Sequence, residues 1–567
     1  MIFFDAEVFR YDWLFVFMDT DTQKTTVIVN DRDELKQFYE QNKTNVWVGF
    51  NCRHYDQYIF KAILCDFDPY EVSQWIIAGK QGGWGYSGAF RKIPFYTFDV
   101  MTDRYHGLKQ LEGFMGNDIR ESEVPFDIDR KLTAEELASV TKYCRHDVEQ
   151  TIEVFLNRIE EFESQMSLIK AFSLPLSYIS KTKAQLTAAV LEARKIDRDD
   201  EFDIVLPNTL RIKKYRHIVN WYLVPEHRDY DKKLEVDIAG VPHVFGWGGL
   251  HGAIPNYVGC GIFLNVDVAS FYPAIMIEYG FLSRNVADST KYRQIRDERL
   301  RLKAEKNPMA NPLKIVLNGT FGASKDKYNP LYDPRQANNV CVGGQLLLLD
   351  LIEHLEVSGC CELIQSNTDG LILKVRGQLD IDRVREVCAE WEERTRMVLE
   401  FDEFERIYQK DVNNYLVVHE DGSYKSKGAY VKKLDVLDYD LAIVNKAIVS
   451  YFIHGTPVEE TIMAADKLID FQKIVKVSEK YAYAMHGNER RPEKVLRVFA
   501  SRVRTDGMVY KIKRDGKVER VEKIANTPER CFIINEDVNG MAIPRKLDRK
   551  WYIDLVKKRI EDFLGEG

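Results

Sequence analysis

From residue 1 to about 160, short apolar runs alternate with longer amphipathic stretches. Ile2-Phe4, Leu14-Met18, Thr26-Val29, Val46-Val48 and Phe95-Phe98 are rich in aromatic and β-branched residues and read as strands. "TAEELASVTKYCRHDVEQTIEVFLNRIEEF" places its apolar residues at helical spacing, so this first region predicts an α/β domain. "AGKQGGWGYSG" has no Gly at P-loop spacing before Lys80 and no Ser or Thr after it, which predicts a turn and no nucleotide cradle. Residues 165 to 235 mix helix and loop. From Lys233 to about 430 strands and helices alternate again, with a long charged helix in "STKYRQIRDERLRLKAEK" and two short strands joined at Asn367-Thr368 in "QSNTDGLILK". The remainder reads as mostly helical, with a hairpin in "MVYKIKRDGKVERVEKI" turned by Asp515-Gly516.

A chain of 567 residues with 45% hydrophobic and 12% aromatic content can bury several cores, so three or four domains or subdomains are expected. The formal charge of −8, from 80 basic and 88 acidic residues, gives no global pull toward nucleic acid, although a local basic groove is compatible with it. Nine cysteines without a C-x-x-C pair fit neither a disulfide framework nor a zinc site and suggest a reducing compartment. The apolar start is interrupted by Asp5, Glu7, Arg10 and Asp12, so it predicts neither a signal peptide nor a membrane span. The expectation is an intracellular, soluble protein.

Four acids stand out in the first region. "FFDAEVF" sets Asp5 and Glu7 two apart on a strand, hence on one face. "VGFNCRHYDQYIF" delivers Asn51, Tyr55 and Asp56 after a strand, and "KYCRHDVEQT" sets Tyr143 and Asp147 four apart on one helical face. Asp5, Glu7, Asp56 and Asp147 on separate elements suit two divalent cations that activate a water and stabilise a leaving oxygen. All-oxygen ligands favour magnesium or manganese over zinc. Tyr143 is a candidate for orienting the water, and Asp99 in "FYTFDVM" is read as structural or DNA-facing.

D-x-E, then N-x-x-x-[FY]-D, then Y-x-x-x-D resembles the three motifs of the proofreading 3′→5′ exonuclease domain of family B DNA polymerases. The later motifs extend the resemblance to about residue 430. "NVDVASFYPAIM" is similar to D-x-x-S-[LF]-Y-P. It implies that Asp267, with the Val268 carbonyl, binds both catalytic metals, that Tyr272 is the steric gate under the incoming sugar, and that Phe271 lies in the nucleotide site. "LKIVLNGTFGA" resembles the nucleotide-carrying helix, implying Lys314 and Asn318 as nucleotide contacts and a small Gly319 beside the base pair. "ERLRLK" implies Arg299 and Lys303 as further phosphate contacts, while Arg293, Arg296 and Arg301 read as a solvated face. "QSNTDG" stands where the family has D-T-D-S, which makes Asp369 the second metal-bridging acid and Asn367 and Gly370 departures. "FGWGGLHGA" implies that Gly248 and Gly249 approach template phosphates. "NNYLVV" and "KSKGAY" imply Tyr415 and Lys427 on the primer, with Asn413 replacing a Lys; Asn51 is implied as a DNA contact of the exonuclease site.

The resemblance implies an α/β and α+β multidomain chain: an RNase H-like exonuclease domain (1–165), a bridging helical region (166–235), palm (236–285 and 324–430), fingers (286–323) and thumb (431–567). About 47 positions from Asp267 to Lys314 and about 45 from Gly322 to Asn367 leave no room for the insertions of the protein-primed subgroup, so the fingers should be a bare helical pair. With the exonuclease motif at residue 5, the N-terminal domain of larger family members is expected to be absent. The implied activity is template-directed extension of a DNA primer with proofreading. It would use two Mg2+ (or Mn2+) per active site, dNTPs, primer-template DNA and single-stranded DNA 3′ ends. A compact phage-like enzyme is expected, a monomer with a processivity factor as candidate partner, working in the cytoplasm of a bacterial host. The basic hairpin (Lys511, Lys513, Arg514, Lys517, Arg520) reads equally as a duplex contact or a solvated surface. Two other readings are an exonuclease whose polymerase half has decayed, on the strength of Asn367 and Asn413, and a noncatalytic primer-template scaffold.

Overall fold

The computed structural model describes residues 1–101, 106–428, 430–515 and 518–565. The chain forms two compact units, each assembled from three stretches: 1–181, 434–444 and 459–554 in the first, 182–433, 445–458 and 555–567 in the second.

The first unit begins with a five-stranded sheet of β1 (Ile2–Val8), β2 (Trp13–Asp19), β3 (Thr25–Val29), β4 (Val46–Gly49) and β5 (Tyr96–Asp99), in the order β3-β2-β1-β4-β5. β1 to β3 are antiparallel, β4 runs parallel to β1, and β5 runs parallel to β4. β1 has a layer on each face, and its alternation sorts the side chains between them. Phe4, Ala6 and Val8 enter an aromatic core with Phe15, Phe17, Trp47 and Phe60. On the other face Phe3 meets Phe155 of the helix Ala134–Asn157, ring centroids 5.2 Å apart, and Asp5 and Glu7 share that face. The helix starts with a capping box between Thr133 and Glu136. It stops earlier than its periodicity predicts: Arg158 leaves helical angles and donates to the Val100 carbonyl at 2.6 Å, and a second helix, Ile159–Ala171, follows.

The second unit is built on a nine-stranded sheet: β6 (Leu234–Ile238), β7 (Val241–Phe245), β8 (His251–Ala253), β9 (Tyr257–Val268), β10 (Glu362–Asn367), β11 (Gly370–Val375), β12 (Leu399–Asp411), β13 (Asn414–Val418) and β14 (Tyr424–Lys427). Its order is β14-β13-β12-β9-β11-β10-β8-β7-β6, with the long β9 between β11 and β12. Phe263, Ile364, Ile372, Phe404, Ile407 and Val417 form one apolar cluster, against which Tyr415 of β13 packs. After β9 come the short helix Phe271–Glu278 and a helical hairpin of Thr290–Ala304 and Ala310–Lys325, in which Tyr292 donates to the Leu317 carbonyl at 2.9 Å. The helix Pro334–Ser358 is buried along most of its length.

The rest of the first unit departs from the mostly helical expectation. The described residues of 473–533 hold seven strands: β15 (Lys473–Lys476), β16 (Tyr483–His486), β17 (Glu489–Arg491), β18 (Val495–Ala500), β19 (Val509–Asp515), β20 (Val518–Lys523) and β21 (Cys531–Ile533). They form a three-stranded sheet, β15-β18-β21, and a four-stranded one, β17-β16-β19-β20. β18, "VLRVFA", is buried along its whole length, and a continuous buried run has no period to separate strand from helix. β19 and β20 pair as the expected hairpin, while Gly516 and Lys517 of its turn lie outside the described residues.

Candidate active sites

The first unit gathers the first acid set between β1 and the helix above it. Asp5 and Glu7 project from β1, Asp56 is the first residue of the helix Asp56–Leu64, and Tyr143 and Asp147 come from Ala134–Asn157. Asn51 sits in the left-handed region at φ 58°. The Asp99 carboxylate anchors the loop to Asp56, accepting from the main-chain amides of Asn51 (2.8 Å), Arg53 (2.9 Å) and Met101 (2.9 Å). That gives Asp99 a structural role, one of the two readings its position allowed.

Burial, then the neighbouring charge of Asp147, pushes the Asp5 carboxyl up to about 7. Burial, then Asp5 and the other acids, holds Glu7 well above the usual range. Asp56 is raised in the same way, by burial and Asp5. Asp147 is raised to about 6 by burial, against the opposing pull of Lys109. Crowded acids of this kind gain from a hard divalent cation, yet among the described residues the ligand-atom groups within 4.8 Å leave Asp56 out and set Asp147 with Glu112 and His146. Cys144 was not singled out from the sequence, yet its Sγ lies 3.5 Å from Asp5, and ligand atoms of Asp5, Glu7 and Cys144 fall within 4.8 Å of one another. Lys109, Glu112 and His146 were also missed. The Lys109 amine bonds Asp147, reaches Glu112 at 3.0 Å and lies 4.6 Å from the centroid of the Tyr143 ring. Glu112 is 0% exposed. Lys109 and Glu112 stand three apart on a helix, the only local signal they carry.

In the second unit a cavity of about 480 Å³ is lined at once by Phe271, Tyr272, Arg299, Lys303, Lys314, Asn318 and Asp369. Tyr272 stacks obliquely on Phe321, centroids 4.4 Å apart. Lys314 and Asn318 are exposed on one side of their helix. Arg299 donates to Ser270 Oγ at 3.5 Å, and its Nε is buried with no partner, which suits an anion in the cavity. Lys303 faces Glu400 at 3.9 Å, an acid of the lining that the sequence did not mark. Arg301 pairs with the exposed Glu298 and Glu305, in line with a solvated face, whereas Arg293 and the half-buried Arg296 pair with the largely buried Glu278. Gly319 faces elsewhere than expected. A Cβ there would meet Thr187 Oγ1 at 2.8 Å, so its smallness serves packing on the helix Lys183–Val190.

Asp267 and Asp369 come from neighbouring strands: Asp267 pairs with Gly370, and the Val268 amide donates to the Asp369 carbonyl at 2.8 Å. Asp267 is not among the cavity-lining residues. Its carboxylate accepts from Asn265 at 2.5 Å and is pushed up to about 6 by burial, with Asp369 adding to the shift. Gly370 has a reason here, because a Cβ would stand 1.8 Å from Asp267 Oδ1. Asn367 turns inward on its own loop: its oxygen accepts from the Thr368 amide at 2.9 Å. Tyr415 lies beside Asp267 and Asp369, whose charges raise its hydroxyl after burial, and it pairs across the strands with the exposed Lys427. Gly249 approaches Thr368, and the Gly248 carbonyl accepts from Gln345 at 2.8 Å. Asn413 is exposed, its amide donating to Asp411. The basic hairpin carries its own counter-charges, Lys511 with Glu522 and Arg514 with Glu519.

No family model matches the chain, and no curated protein does. Among solved structures the chain is similar in fold to the family B DNA polymerase from the hyperthermophilic archaeon Pyrobaculum calidifontis. The TM-score is 0.43 at 16% identity, over 99% of this chain and 77% of that one. Among the described residues no helix is long and apolar enough to cross a membrane.

Proposed function

We propose that the chain is a DNA-directed DNA polymerase with a 3′→5′ proofreading exonuclease, the second unit extending primers and the first trimming them. The observation that carries the reading is that three basic side chains, Arg299, Lys303 and Lys314, line one cavity together with Tyr272 and Asp369. Residues scattered over about a hundred positions converge there with the chemistry a deoxynucleoside triphosphate needs: cations for phosphates, a ring against the sugar, and a carboxylate at the strand turn. In the first unit the sheet order, with its antiparallel β1 to β3 and parallel β4 and β5, supports the RNase H-like reading.

Asp267 and Asp369 would hold magnesium or manganese in the extension site, and Asp5, Glu7, Asp56 and Asp147 in the trimming site. Divalent ions there would supply charge stabilisation for phosphoryl transfer. The chain's own contributions are distinct. Arg299, Lys303 and Lys314 bind the triphosphate, Tyr272 excludes a ribose 2′-hydroxyl, and Tyr415 with Lys427 holds the primer end. In the trimming site Tyr143 orients the attacking water, and Lys109 keeps Asp147 ionised and in place. Primer-template DNA, dNTPs and single-stranded 3′ ends are the partners.

A primer-extension assay with and without dNTPs tests the whole reading. The parent should lengthen primers with dNTPs and shorten them without. Asp267→Asn and Asp369→Asn should each abolish lengthening and leave shortening intact. A parent that only shortens would make the second unit a decayed polymerase, and one that does neither would leave a binding scaffold.

A further inference from the structure

The helix Leu108–Met115 carries Lys109 and Glu112 to Asp147, and its far end is held by residues more than 350 positions later. A helix terminus leaves carbonyls without intrahelical partners. Here the C-terminal part of the same unit donates to five consecutive carbonyls at and just beyond that end, of which only Gly113 also accepts locally, from the Gly116 amide (3.1 Å). The Gly113 carbonyl accepts from Arg497 (3.3 Å), Phe114 from Gln472 (3.3 Å), Met115 from Asn539 (3.1 Å), Gly116 from the Val538 amide (2.9 Å) and Asn117 from Arg497 (2.6 Å). Arg497 is 0% exposed, and its other Nη atom donates to the carbonyls of Ile534 (3.4 Å) and Glu536 (2.5 Å). The guanidinium thus bridges the helix end to the loop after β21. Burial draws its pKa down to about 10, so it keeps its charge near neutral pH and complements the negative end of the helix dipole. The Glu121 carboxylate adds a second fastening, accepting from the amides of Lys494 (2.6 Å) and Val495 (3.0 Å).

We propose that the β15–β21 layer is a working part of the trimming site, and that Arg497 is its positioning residue, fixing the Leu108–Met115 helix so that Lys109 meets Asp147 and Tyr143. The proposal rests on the hydrolytic reading of the first unit and extends it to a segment that carries none of the three motifs. Arg497 touches no reacting group and acts only through the helix it caps. Replacement by Met keeps the length and removes every donor; replacement by Lys keeps the charge and some of the donors.

The test uses the full chain as Arg497→Met and Arg497→Lys. Hydrolysis of a single-stranded oligonucleotide, primer extension, and acylation of Lys109 mapped by mass spectrometry are read on the same preparations. For Arg497→Met, hydrolytic kcat should fall about tenfold to 100-fold, as for a catalytic group displaced by about 1 Å, with KM within about twofold and extension unchanged. Lys109, shielded in the parent by its two acids, should become reactive, and Arg497→Lys should restore much of both. Unchanged kcat, unchanged Lys109 reactivity, or a parallel loss of hydrolysis and extension would overturn the proposal. The labelling arm needs no activity, so a parent that fails to hydrolyse DNA would sink the hydrolytic reading while Lys109 still reports on placement.

Discussion

Putting serine at position 370, where the resembled motif has it, should damage this chain. On the observed backbone the new Cβ would stand 1.8 Å from Asp267 Oδ1 and 3.1 Å from the Val266 carbonyl oxygen. Carbon and oxygen in contact stay at least about 3.3 Å apart, so the carboxylate must move by roughly 1.5 Å. The strands cannot open to relieve this, since Gly370 and Asp267 are registered partners inside the sheet. The carboxylate must then rotate away from Asn265, losing a 2.5 Å hydrogen bond. A bond to a charged acceptor contributes about 1.5–3 kcal/mol, and an off-rotamer side chain costs about 0.5–1.5 kcal/mol. If that carboxylate must stand in place in the transition state, about 2 kcal/mol is the lower end of the loss, and Gly370→Ser should slow extension at least about 30-fold at 1.4 kcal/mol per tenfold. The assay is single-turnover incorporation of one dNTP under saturating primer-template, with trimming of single-stranded ends as the internal control. Extension by Gly370→Ser within about threefold of the parent, with trimming unchanged, would refute the close approach and the role of Asp267 drawn from it.

Asn367→Asp should change extension by less than about tenfold with either magnesium or manganese, because the residue 367 side chain bonds the amide of its own turn and does not line the cavity; a parent inert with both metals and revived by the substitution would mean that the polymerase half is dead as it stands. The raised acids of the first unit predict a pH dependence of stability. Asp5 and Asp147 titrate near 7 and 6 when folded, with Glu7 and Asp56 also raised, against about 4 when unfolded, so the folded state binds more protons between those limits and stability falls as pH rises. In chelator, hydrogen exchange across β1 should therefore slow as pH is lowered from about 7.5 to 5.5 after correction for intrinsic rates, and Asp5→Asn or added Mn2+ should flatten the trend; protection that falls on acidification would contradict the electrostatics.

The acid-bearing elements were legible because their signals are local. A two-residue spacing on β1 and a four-residue spacing on the helix above it fix which way Asp5, Glu7, Tyr143 and Asp147 point. The cavity residues were legible as short motifs on consecutive elements, and the helical hairpin of Thr290–Ala304 and Ala310–Lys325 follows from the small number of positions available to it. What escaped depends on contacts between distant segments. Nothing around Lys109 announces that its amine will meet Asp147, and nothing around Gly319 distinguishes a packing glycine from one beside a base pair. Gly370 looked like a departure because the atom that demands it, Asp267 Oδ1, lies on another strand. The seven C-terminal strands were missed because several are short or uniformly buried, and neither condition leaves a period to read.

The capping of one short helix by the C-terminal layer also sets a timetable. Arg497 and Gly113 are separated by 384 residues, so on a growing chain Gly113 emerges long before its partner exists. At a synthesis rate of about 5–20 residues per second the interval is roughly 20–75 s. Throughout it the carbonyls of Phe114 to Asn117 lack these donors, and residues 182–433 and 445–458 of the second unit are made in the meantime. The first unit is thus the first part of the molecule to be started and among the last to be finished. A nascent chain released early carries its four acids without the clasp that ties the end of the Leu108–Met115 helix to Gln472, Arg497 and Asn539.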